Sequence, residues 1–278
     1  MIILHFLPFC NFLFKVMRKL LAIWLGKILT IVGKTVGKKS SSSPGAYALK
    51  ICPDLVKGLE KCVSKGIIVT CGTNGKTTTN NLMASALEAK GYKVICNKLG
   101  ANMLSGIATT VLQEMSIFGK LKADYACLEI DEAYTPIVFD YVKPDVMVIT
   151  NLFRDQLDRY GEIDITSDII KRAIKKVPNL KLVLNGDDPL CVQFGREENV
   201  KAYYYGISEK VLPQLDDTKE GRFCPVCGEE QKYNYYHYSQ LGDFYCPSCG
   251  FKRPEIDFEV KNVSLDTPMK FTINNQPS

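Results

Sequence analysis

Histidine is scarce in this sequence, which has only His5 and His237 among its 278 residues. A cysteine that attacks an amide normally needs a histidine beside it as a base, so the eleven cysteines have few partners for such a pair. The composition therefore argues against a hydrolytic cysteine–histidine site. Cysteines scattered singly along a chain are typical of a reducing compartment, and we expect a cytoplasmic protein.

Acidic residues are missing from the first 50 positions, which hold eight lysines or arginines and no aspartate or glutamate. The remaining 228 residues carry a net charge of −3. A nucleic-acid-binding body would normally be basic, so the charge distribution predicts a cationic N-terminal arm on a mildly acidic body and no nucleic-acid partner.

An unbroken apolar run that could span a membrane is also missing near the N-terminus. Residues 1–16 are apolar but are interrupted by Pro8, Asn11 and Lys15, whereas a transmembrane helix needs roughly 18 apolar residues and a signal peptide begins with positive charge. From Met17 onward, apolar and basic residues recur at helical spacing. The apolar positions are Leu20, Leu21, Trp24, Leu25, Ile28, Leu29 and Val32, and the basic ones are Arg18, Lys19, Lys27 and Lys34.

This basic amphipathic helix permits two interpretations. It can lie on an anionic membrane surface, or it can pack its apolar stripe on the body of the protein. Met17 is also an alternative start of translation. A polar stretch from Lys38 to Gly45, with four serines and a proline, predicts a hinge. We therefore expect an N-terminal segment and linker at 1–44 and the main domain at 45–278.

Strand-like and helical segments alternate after this hinge. We expect strands at 67–70, 92–96, 125–129, 146–150 and 182–185, and helices at 77–90, 105–118, 135–142 and 165–176. This alternation predicts an α/β fold, with a mostly parallel sheet and helices on both of its faces. Because ligands bind at the carboxyl ends of such strands, polar clusters that follow a strand are candidate sites.

The first of these clusters has the pattern of a phosphate-binding loop. The strand at 67–70 is followed by Gly72-Thr73-Asn74-Gly75-Lys76-Thr77-Thr78 and then by a helix. The glycines let backbone N–H groups converge on one anion, and the helix adds its positive dipole end. In such loops the lysine reaches the nucleotide phosphates and the following threonine ligates Mg²⁺. The full pattern has glycine where this chain has Thr70, and a glycine turn without a ligand is the alternative.

Two further clusters follow later strands. Glu129 ends the strand at 125–129, and we expect it to ligate Mg²⁺ together with Thr77, since Mg²⁺ prefers oxygen ligands. For Asp131 and Glu132 the alternative is a solvated helix N-terminus, where acids are favourable. The segment Asn185-Gly186-Asp187-Asp188-Pro189 closes another strand and is either a ligand site or a turn.

Four cysteines near the C-terminus have the spacing of a zinc ribbon. Cys224 and Cys227 are separated by eighteen residues from Cys246 and Cys249. Four thiolates fill the tetrahedral shell of Zn²⁺, so this zinc would be structural, in a ribbon at 222–252 inserted into the main domain. Two disulfides are the alternative. We expect the aromatic residues between the two cysteine pairs to form the small core of this ribbon.

The order of these motifs resembles the Mur ligases, ATP-dependent enzymes that build the stem peptide of peptidoglycan. The phosphate loop, Glu129, the Asp155-x-x-Asp158-Arg159-Tyr160-Gly161 loop and the segment 185–189 all occur in the family's order. The resemblance implies the fold of the Mur ligase central domain over residues 45–278. It also implies ATP at Gly72–Thr78 with Lys76 as the catalytic cation, Mg²⁺ at Thr77 and Glu129, and adenine beside Asn185 and Asp187.

The chain departs from this family at several positions. Gln156 stands where the family usually has a metal-binding histidine, and Lys171 lies near the position of the family's carbamylated lysine. The segment before the phosphate loop is too short for the family's usual UDP-sugar-binding domain. The chain also stops near the point where a C-terminal ligase domain is expected to begin.

These features together resemble one branch, the ligase subunit of lipid II isoglutaminyl synthase. The resemblance implies activation of the α-carboxylate of D-glutamate in lipid II and its amidation to D-isoglutamine. The ammonia would come from a GatD-like class I glutamine amidotransferase, and the lipid-linked substrate would place the complex at the inner face of the membrane. The alternatives are another ligase of the superfamily, such as a folylpolyglutamate synthase, and a non-catalytic ATP-binding scaffold.

Overall fold

The computed structural model describes residues 3–35, 42–98, 101–153, 162–211 and 222–277. The chain divides into two compact units. The first comprises Met1–Thr70 and Thr77–Pro144, and the second comprises Cys71–Lys76 and Asp145–Ser278. The N-terminal helix and the residues after the predicted linker belong to the same unit, the first one.

Three parallel strands form the centre of the first unit, in the order β1-β3-β2. The elements up to residue 144 are α1 (Ile3–Thr35), α2 (Ser43–Ile51), β1 (Val63–Cys71), α3 (Lys76–Ala89), β2 (Val94–Cys96), α4 (Leu104–Glu114), β3 (Ala123–Glu129) and α5 (Thr135–Tyr141). Ile67 and Val69 of β1 and Leu128 of β3 are buried, as expected for a parallel strand run of β-branched and apolar residues. Thr70 pairs with Glu129, so the carboxyl ends of β1 and β3 are in register.

Helix α1 packs one of its faces on the first unit. Ala22 and Ile23 are completely buried, and a Cβ on Gly26 would lie 2.6 Å from a methyl carbon of Leu112 in α4. The Arg18 guanidinium donates hydrogen bonds to the Ile51 carbonyl oxygen at the end of α2. Of the two interpretations of this helix, packing on the protein itself is confirmed for this face. No helix in the described part of the chain is long and apolar enough to cross a membrane.

The second unit continues the alternation of strands and helices, and the last of its described elements are all strands. Its elements are β4 (Val146–Ile149), α6 (Glu162–Ile174), β5 (Lys181–Asn185), α7 (Pro189–Val192), β6 (Lys201–Ile207), β7 (Lys232–Tyr238), β8 (Leu241–Tyr245), β9 (Phe258–Ser264), β10 (Lys270–Ile273) and β11 (Gln276–Pro277). Strands β4, β5, β6 and β9 are parallel neighbours in that order. Strand β10 pairs antiparallel with β9, and β11 pairs antiparallel with β10. Strands β7 and β8 form a separate antiparallel hairpin.

The α/β fold class predicted from the sequence is confirmed. Each of the five predicted strands and four predicted helices overlaps an element of the structure, with ends that differ by a few residues. The strands from β6 onward were not predicted, because their tyrosine-rich and polar sequences lack a continuous apolar run.

Candidate active site

The phosphate loop depends on glycine at Gly72. This residue has φ of +125°, and a Cβ there would lie 2.3 Å from Thr150 Oγ1 and 2.8 Å from the Asn151 carbonyl oxygen. A side chain is therefore excluded by both the backbone conformation and the space. Gly75 also has a positive φ, of +79°, but nothing lies within 4 Å of its Cβ position. Glycine is thus required at position 72 by both the backbone conformation and the lack of space, and at position 75 by the backbone conformation alone.

The segment after β4 holds the phosphate loop in place. The Thr73 N–H donates to the Asn151 carbonyl oxygen at 2.8 Å, and the Asn74 N–H donates to Asn151 Oδ1 at 2.9 Å. The Thr150 hydroxyl donates to the Asn74 carbonyl oxygen at 2.7 Å, and the Phe153 N–H donates to the Thr73 hydroxyl at 2.9 Å. No local pattern in the sequence indicates that this segment supports the phosphate loop.

Helix α3 begins at Lys76, directly after the phosphate loop. Thr77 and Thr78 therefore lie in its first turn, where backbone N–H groups have no partner within the helix and favour an anion. Both threonines are exposed, as are Asn74 and Gly75. The Lys76 ammonium donates to the carbonyl oxygens of Gly72 and Thr73, so its positive charge lies over the phosphate loop.

Glu129 has the features of a metal ligand. Its residue is 3% exposed, and its Oε2 has no hydrogen-bond partner among the described residues. Asn97 fixes the backbone of Glu129 on both sides, accepting from its N–H and donating to its carbonyl oxygen, both at 2.8 Å. Thr70 Oγ1, on the residue paired with Glu129, is also buried without a partner in the described chain. A buried carboxylate with an unsatisfied oxygen fits a hard cation such as Mg²⁺.

Asp131 is engaged locally. Its carboxylate accepts from the Ala133 N–H at 3.0 Å and caps a short 3₁₀-helix, Glu132–Tyr134. This arrangement agrees with the alternative of acids at a helix N-terminus.

The segment after β5 forms hydrogen bonds with residues 150–152, which belong to the segment that supports the phosphate loop. Asn185 Nδ2 donates to the Thr150 carbonyl oxygen at 3.0 Å, and Asn185 Oδ1 accepts from the Asp187 N–H. Asp188 is fully buried and accepts from the N–H groups of Leu152 and Leu190. Burial raises the pKa of the Asp188 carboxyl to about 6. Asn185 is therefore adjacent to the predicted nucleotide site.

Asp187 has a partner that the sequence did not indicate. Its carboxylate forms an ion pair with Arg253, at 2.7 Å from Nη2 and 2.8 Å from Nε, and it accepts from the Ile207 N–H at 2.8 Å. His237 Nε2 lies 3.9 Å from the same carboxylate. The geometry gives Asp187 a structural role between β6 and the segment after β8, and its predicted role beside adenine stays a prediction.

The four cysteines of the predicted ribbon come together. The sulfur atoms of Cys224, Cys227, Cys246 and Cys249 all lie within 4.8 Å of one another. The Cys224–Cys249 and Cys227–Cys246 sulfur pairs are 3.6 Å apart, which is far longer than a disulfide and close to the roughly 3.8 Å between thiolates on a tetrahedral Zn²⁺. The backbone N–H of Cys249 donates to the Cys246 sulfur and lowers the pKa of that thiol to about 7. The cluster can therefore hold a metal ion.

The aromatic residues of this region form a small core. Phe244 is fully buried against Cys224, Cys246 and Phe251, and the ring of Tyr233 packs on this cluster. The expectation that the aromatics between the cysteine pairs serve packing is confirmed for Phe244, and Phe251, which follows the second pair, joins the same core.

Two predicted positions give no further support to the site. Gln156 and the rest of the Asp155–Gly161 loop lie outside the described residues. Lys171 lies in the last turn of α6 and is half-buried. No described contact connects Lys171 with the phosphate loop.

Comparisons with known proteins agree with this geometry. Residues 69–245 match the Mur ligase middle domain. The chain is 36% identical over 260 residues to the MurT subunit of lipid II isoglutaminyl synthase (glutamine-hydrolyzing) from Staphylococcus aureus strain COL, covering 94% of this chain and 58% of that protein. It is 38% identical over 240 residues to the subunit of the same name from Streptococcus pneumoniae strain R6, covering 86% of this chain and 53% of that protein. The chain thus spans little more than half the length of these relatives.

Solved structures show the same fold. A pseudomurein peptide ligase type C from Methanothermus fervidus superposes with a TM-score of 0.59 at 26% identity, covering 78% of this chain and 42% of that chain. MurF from Acinetobacter baumannii superposes with a TM-score of 0.52 at 13% identity, over 81% of this chain and 39% of that chain, which supports the fold alone.

Proposed function

This chain belongs to the Mur ligase family, and on that basis we propose that it is the ATP-binding part of the ligase subunit of a lipid II isoglutaminyl synthase. The observation that carries the proposal is the supported phosphate loop together with the buried, unsatisfied carboxylate of Glu129. Similarity to the MurT subunits supports the proposed substrate, the D-glutamate α-carboxylate of the lipid II stem peptide. The product is D-isoglutamine.

The proposed reaction has two steps. An oxygen of the α-carboxylate attacks the γ-phosphorus of ATP, and ADP leaves. Ammonia then attacks the carbonyl carbon of the acyl phosphate, loses a proton, and inorganic phosphate leaves with the former carboxylate oxygen. The contribution of this chain is to position the phosphates on Gly72–Thr78 and to stabilise their charge with Lys76. Glu129 and Thr77 would hold Mg²⁺, which neutralises phosphate charge when bound.

A second subunit supplies the ammonia in this proposal. The sequence has only two histidines, which leaves few partners for a cysteine nucleophile, and the relatives are named as subunits of a glutamine-hydrolysing synthase. We assign the glutaminase step to a GatD-like class I glutamine amidotransferase. We also assign Zn²⁺ to the four-cysteine cluster, where it would fix the base of the β7–β8 hairpin.

The test is amidation of purified lipid II by the full-length protein, with ATP, Mg²⁺ and glutamine, in the presence and absence of the GatD-like partner. Mass spectrometry is expected to show replacement of one stem-peptide hydroxyl by an amino group only when both proteins are present. Lys76→Ala should reduce this turnover by several orders of magnitude, because the lysine stabilises charge in the transition state. Lys57→Ala, which removes an exposed lysine, is the matched control.

Near-normal amidation by the Lys76→Ala variant would contradict the assignment of the phosphate loop. Unchanged lipid II combined with ATP hydrolysis that folates stimulate would favour a folylpolyglutamate synthase instead.

The outward face of α1 supports a location at the membrane. An apolar stripe runs along its exposed side, and Phe14 and Ile31 are each 62% exposed. The stripe consists of Leu13, Phe14, Met17, Leu21, Trp24, Ile28, Ile31 and Val32. The first 50 residues carry positive charge only, which complements an anionic lipid surface. We infer that α1 lies on the inner face of the cytoplasmic membrane, near the lipid-linked substrate.

Liposome co-sedimentation tests this location without disturbing the buried face of α1. The double variant Ile28→Glu, Ile31→Glu should no longer pellet with phosphatidylglycerol vesicles, because both changes place charge in the stripe. Leu265→Glu, Met269→Glu alters two equally exposed apolar residues in the second unit and should pellet like the unaltered protein. Equal pelleting of all three proteins would show that α1 does not bind the membrane.

A further inference from the structure

The turn of the β7–β8 hairpin reaches the segment that supports the phosphate loop. Gln240 lies in this turn, and its residue is 1% exposed. Its Nε2 donates to the Leu152 carbonyl oxygen at 2.8 Å, and its Oε1 accepts from the Ser239 hydroxyl at 2.9 Å. A buried side-chain amide at a hairpin turn is costly to place unless its hydrogen bonds are made. This contact therefore fixes the hairpin on Leu152.

Leu152 is a central residue of the segment 150–153, which supports the phosphate loop. Its N–H donates to the Asp188 carboxylate at 2.9 Å, so hydrogen bonds hold the residue through both its amide nitrogen and its carbonyl oxygen. Its two neighbours, Asn151 and Phe153, make the hydrogen bonds to Thr73 and Asn74 of the phosphate loop. A displacement of Leu152 would move both neighbours, and the loop with them.

The hairpin makes further contacts with the same region. The ring of Tyr238 lies edge-on to that of Phe153, with centroids 5.9 Å apart. The Gly242 N–H donates to the Asp187 carbonyl oxygen at 2.9 Å, and Arg253 pairs with the Asp187 carboxylate. The hairpin and the segment after it thus hold both loops that flank the predicted nucleotide site, the one after β4 and the one after β5.

We propose that the β7–β8 hairpin braces the phosphate loop, with Gln240 as the positioning residue that sets its conformation for nucleotide binding. Gln240 touches neither nucleotide nor metal in this assignment; it acts through Leu152. The four cysteines lie at the other end of the hairpin, so a metal ion there would stabilise the nucleotide site through the same contacts. The nucleotide part of this inference rests on the proposed function, whereas the conformational part does not.

Hydrogen exchange on the ligand-free, full-length protein tests the brace directly. Gln240→Leu keeps the volume but removes the donor, and the Thr73 and Asn74 amides should exchange about tenfold faster, as expected for the loss of one buried hydrogen bond. The affinity for a fluorescent ATP analogue should fall by about the same factor. Asn234→Ala is the matched control, since it removes one amide hydrogen bond, to Asp243, on the exposed side of the same hairpin. This variant should leave both measurements unchanged.

A second variant keeps the test informative if Gln240→Leu fails to fold. Tyr238 is 70% exposed, so Tyr238→Ala removes the ring contact with Phe153 without opening the core. It should accelerate exchange at Thr73 by a smaller factor. Unchanged exchange at Thr73 and Asn74 in the folded variants would overturn the brace, as would equal effects of Gln240→Leu and Asn234→Ala. A wild-type protein that binds no ATP would contradict the proposed function and leave the exchange comparison valid.

Discussion

Replacing Gly72 by alanine adds a methyl group where the structure leaves no room for one. The added Cβ would lie 2.3 Å from Thr150 Oγ1 and 2.8 Å from the Asn151 carbonyl oxygen, and the residue has φ of +125°. Gly75→Ala is a matched control within the same loop. It also places alanine at a positive φ, of +79°, but no atom lies within 4 Å of the new Cβ. Both variants therefore carry backbone strain, which is larger at φ of +125° than at +79°, and only Gly72→Ala also creates a close approach.

The magnitudes follow from these contacts. A non-glycine residue near the left-handed region costs about 1 kcal/mol, which is the whole loss expected for Gly75→Ala, and the cost at Gly72 is at least as large. At Gly72 the clash also forces Thr150 and Asn151 to move, and it weakens the hydrogen bonds that they make with Asn74, each worth about 1 kcal/mol. We therefore expect a total loss of about 3 kcal/mol for Gly72→Ala and about 1 kcal/mol for Gly75→Ala. If the loop keeps its conformation in the variant, the loss lowers the free energy of unfolding. If the loop relaxes to avoid the clash, the loss lowers the affinity for the nucleotide instead.

Two measurements on each variant together give the total loss of free energy. Urea unfolding followed by circular dichroism gives the change in the free energy of unfolding, and titration with a fluorescent ATP analogue gives the change in affinity. If the loop relaxes fully, Gly72→Ala weakens nucleotide binding by about 100-fold and Gly75→Ala by less than about tenfold. Equal losses for the two variants would refute the argument, because the close approach to Thr150 would then contribute nothing.

Three other outcomes are expected. Glu129→Gln should weaken Mg²⁺-dependent nucleotide binding by about 100-fold and leave Mg²⁺-free binding unchanged, as isothermal titration calorimetry would show; equal affinities with Mg²⁺ would contradict the metal assignment. The pKa of Asp188 is about 6 in the folded state, above its usual 3.8, so the unfolded state releases this proton at a lower pH than the folded state does. The free energy of unfolding therefore falls as the pH rises from about 4 to 6, by up to about 3 kcal/mol. The difference in unfolding free energy between the unaltered protein and Asp188→Asn should change over this interval, and a constant difference would contradict the raised pKa. Elemental analysis should find one zinc per chain, lost in Cys224→Ser, Cys246→Ser, with a lower thermal midpoint; retention of zinc by that variant would exclude the four-cysteine site.

The parallel strands of the sheet were predictable because each carries a continuous apolar run and ends in a polar or glycine-rich turn. The phosphate loop was predictable because its signal is also local: its glycines and Lys76 occur within seven residues. Helix α1 was only half predictable. Apolar side chains occur on both its buried and its exposed faces, so periodicity alone did not show that Ala22 and Ile23 pack inward while Ile28 and Ile31 face outward.

The segment Asp187-Asp188 shows why the rest of the site escaped sequence reasoning. The two side chains are chemically identical neighbours, yet Asp188 caps α7 and holds the Leu152 N–H, while Asp187 pairs with Arg253. Asp188 follows a local rule, because an aspartate before a proline-started helix is a common N-cap. The partner of Asp187 is 66 residues away, and no local pattern connects the two.

Such a long-range pair is expected to matter for specificity of the fold more than for stability. Asp187 and Arg253 are both largely buried, so their attraction offsets a desolvation cost of several kcal/mol per ion and leaves little net gain. Losing one partner would leave the other charge buried and alone, which is strongly unfavourable. The pair therefore acts against any arrangement in which the segment after β8 docks elsewhere, and it fixes that segment beside the loop that carries Asn185. The charge pair and the hydrogen bond from Gln240 to Leu152 thus hold the same two loops, and in both cases the partners lie far apart in the sequence.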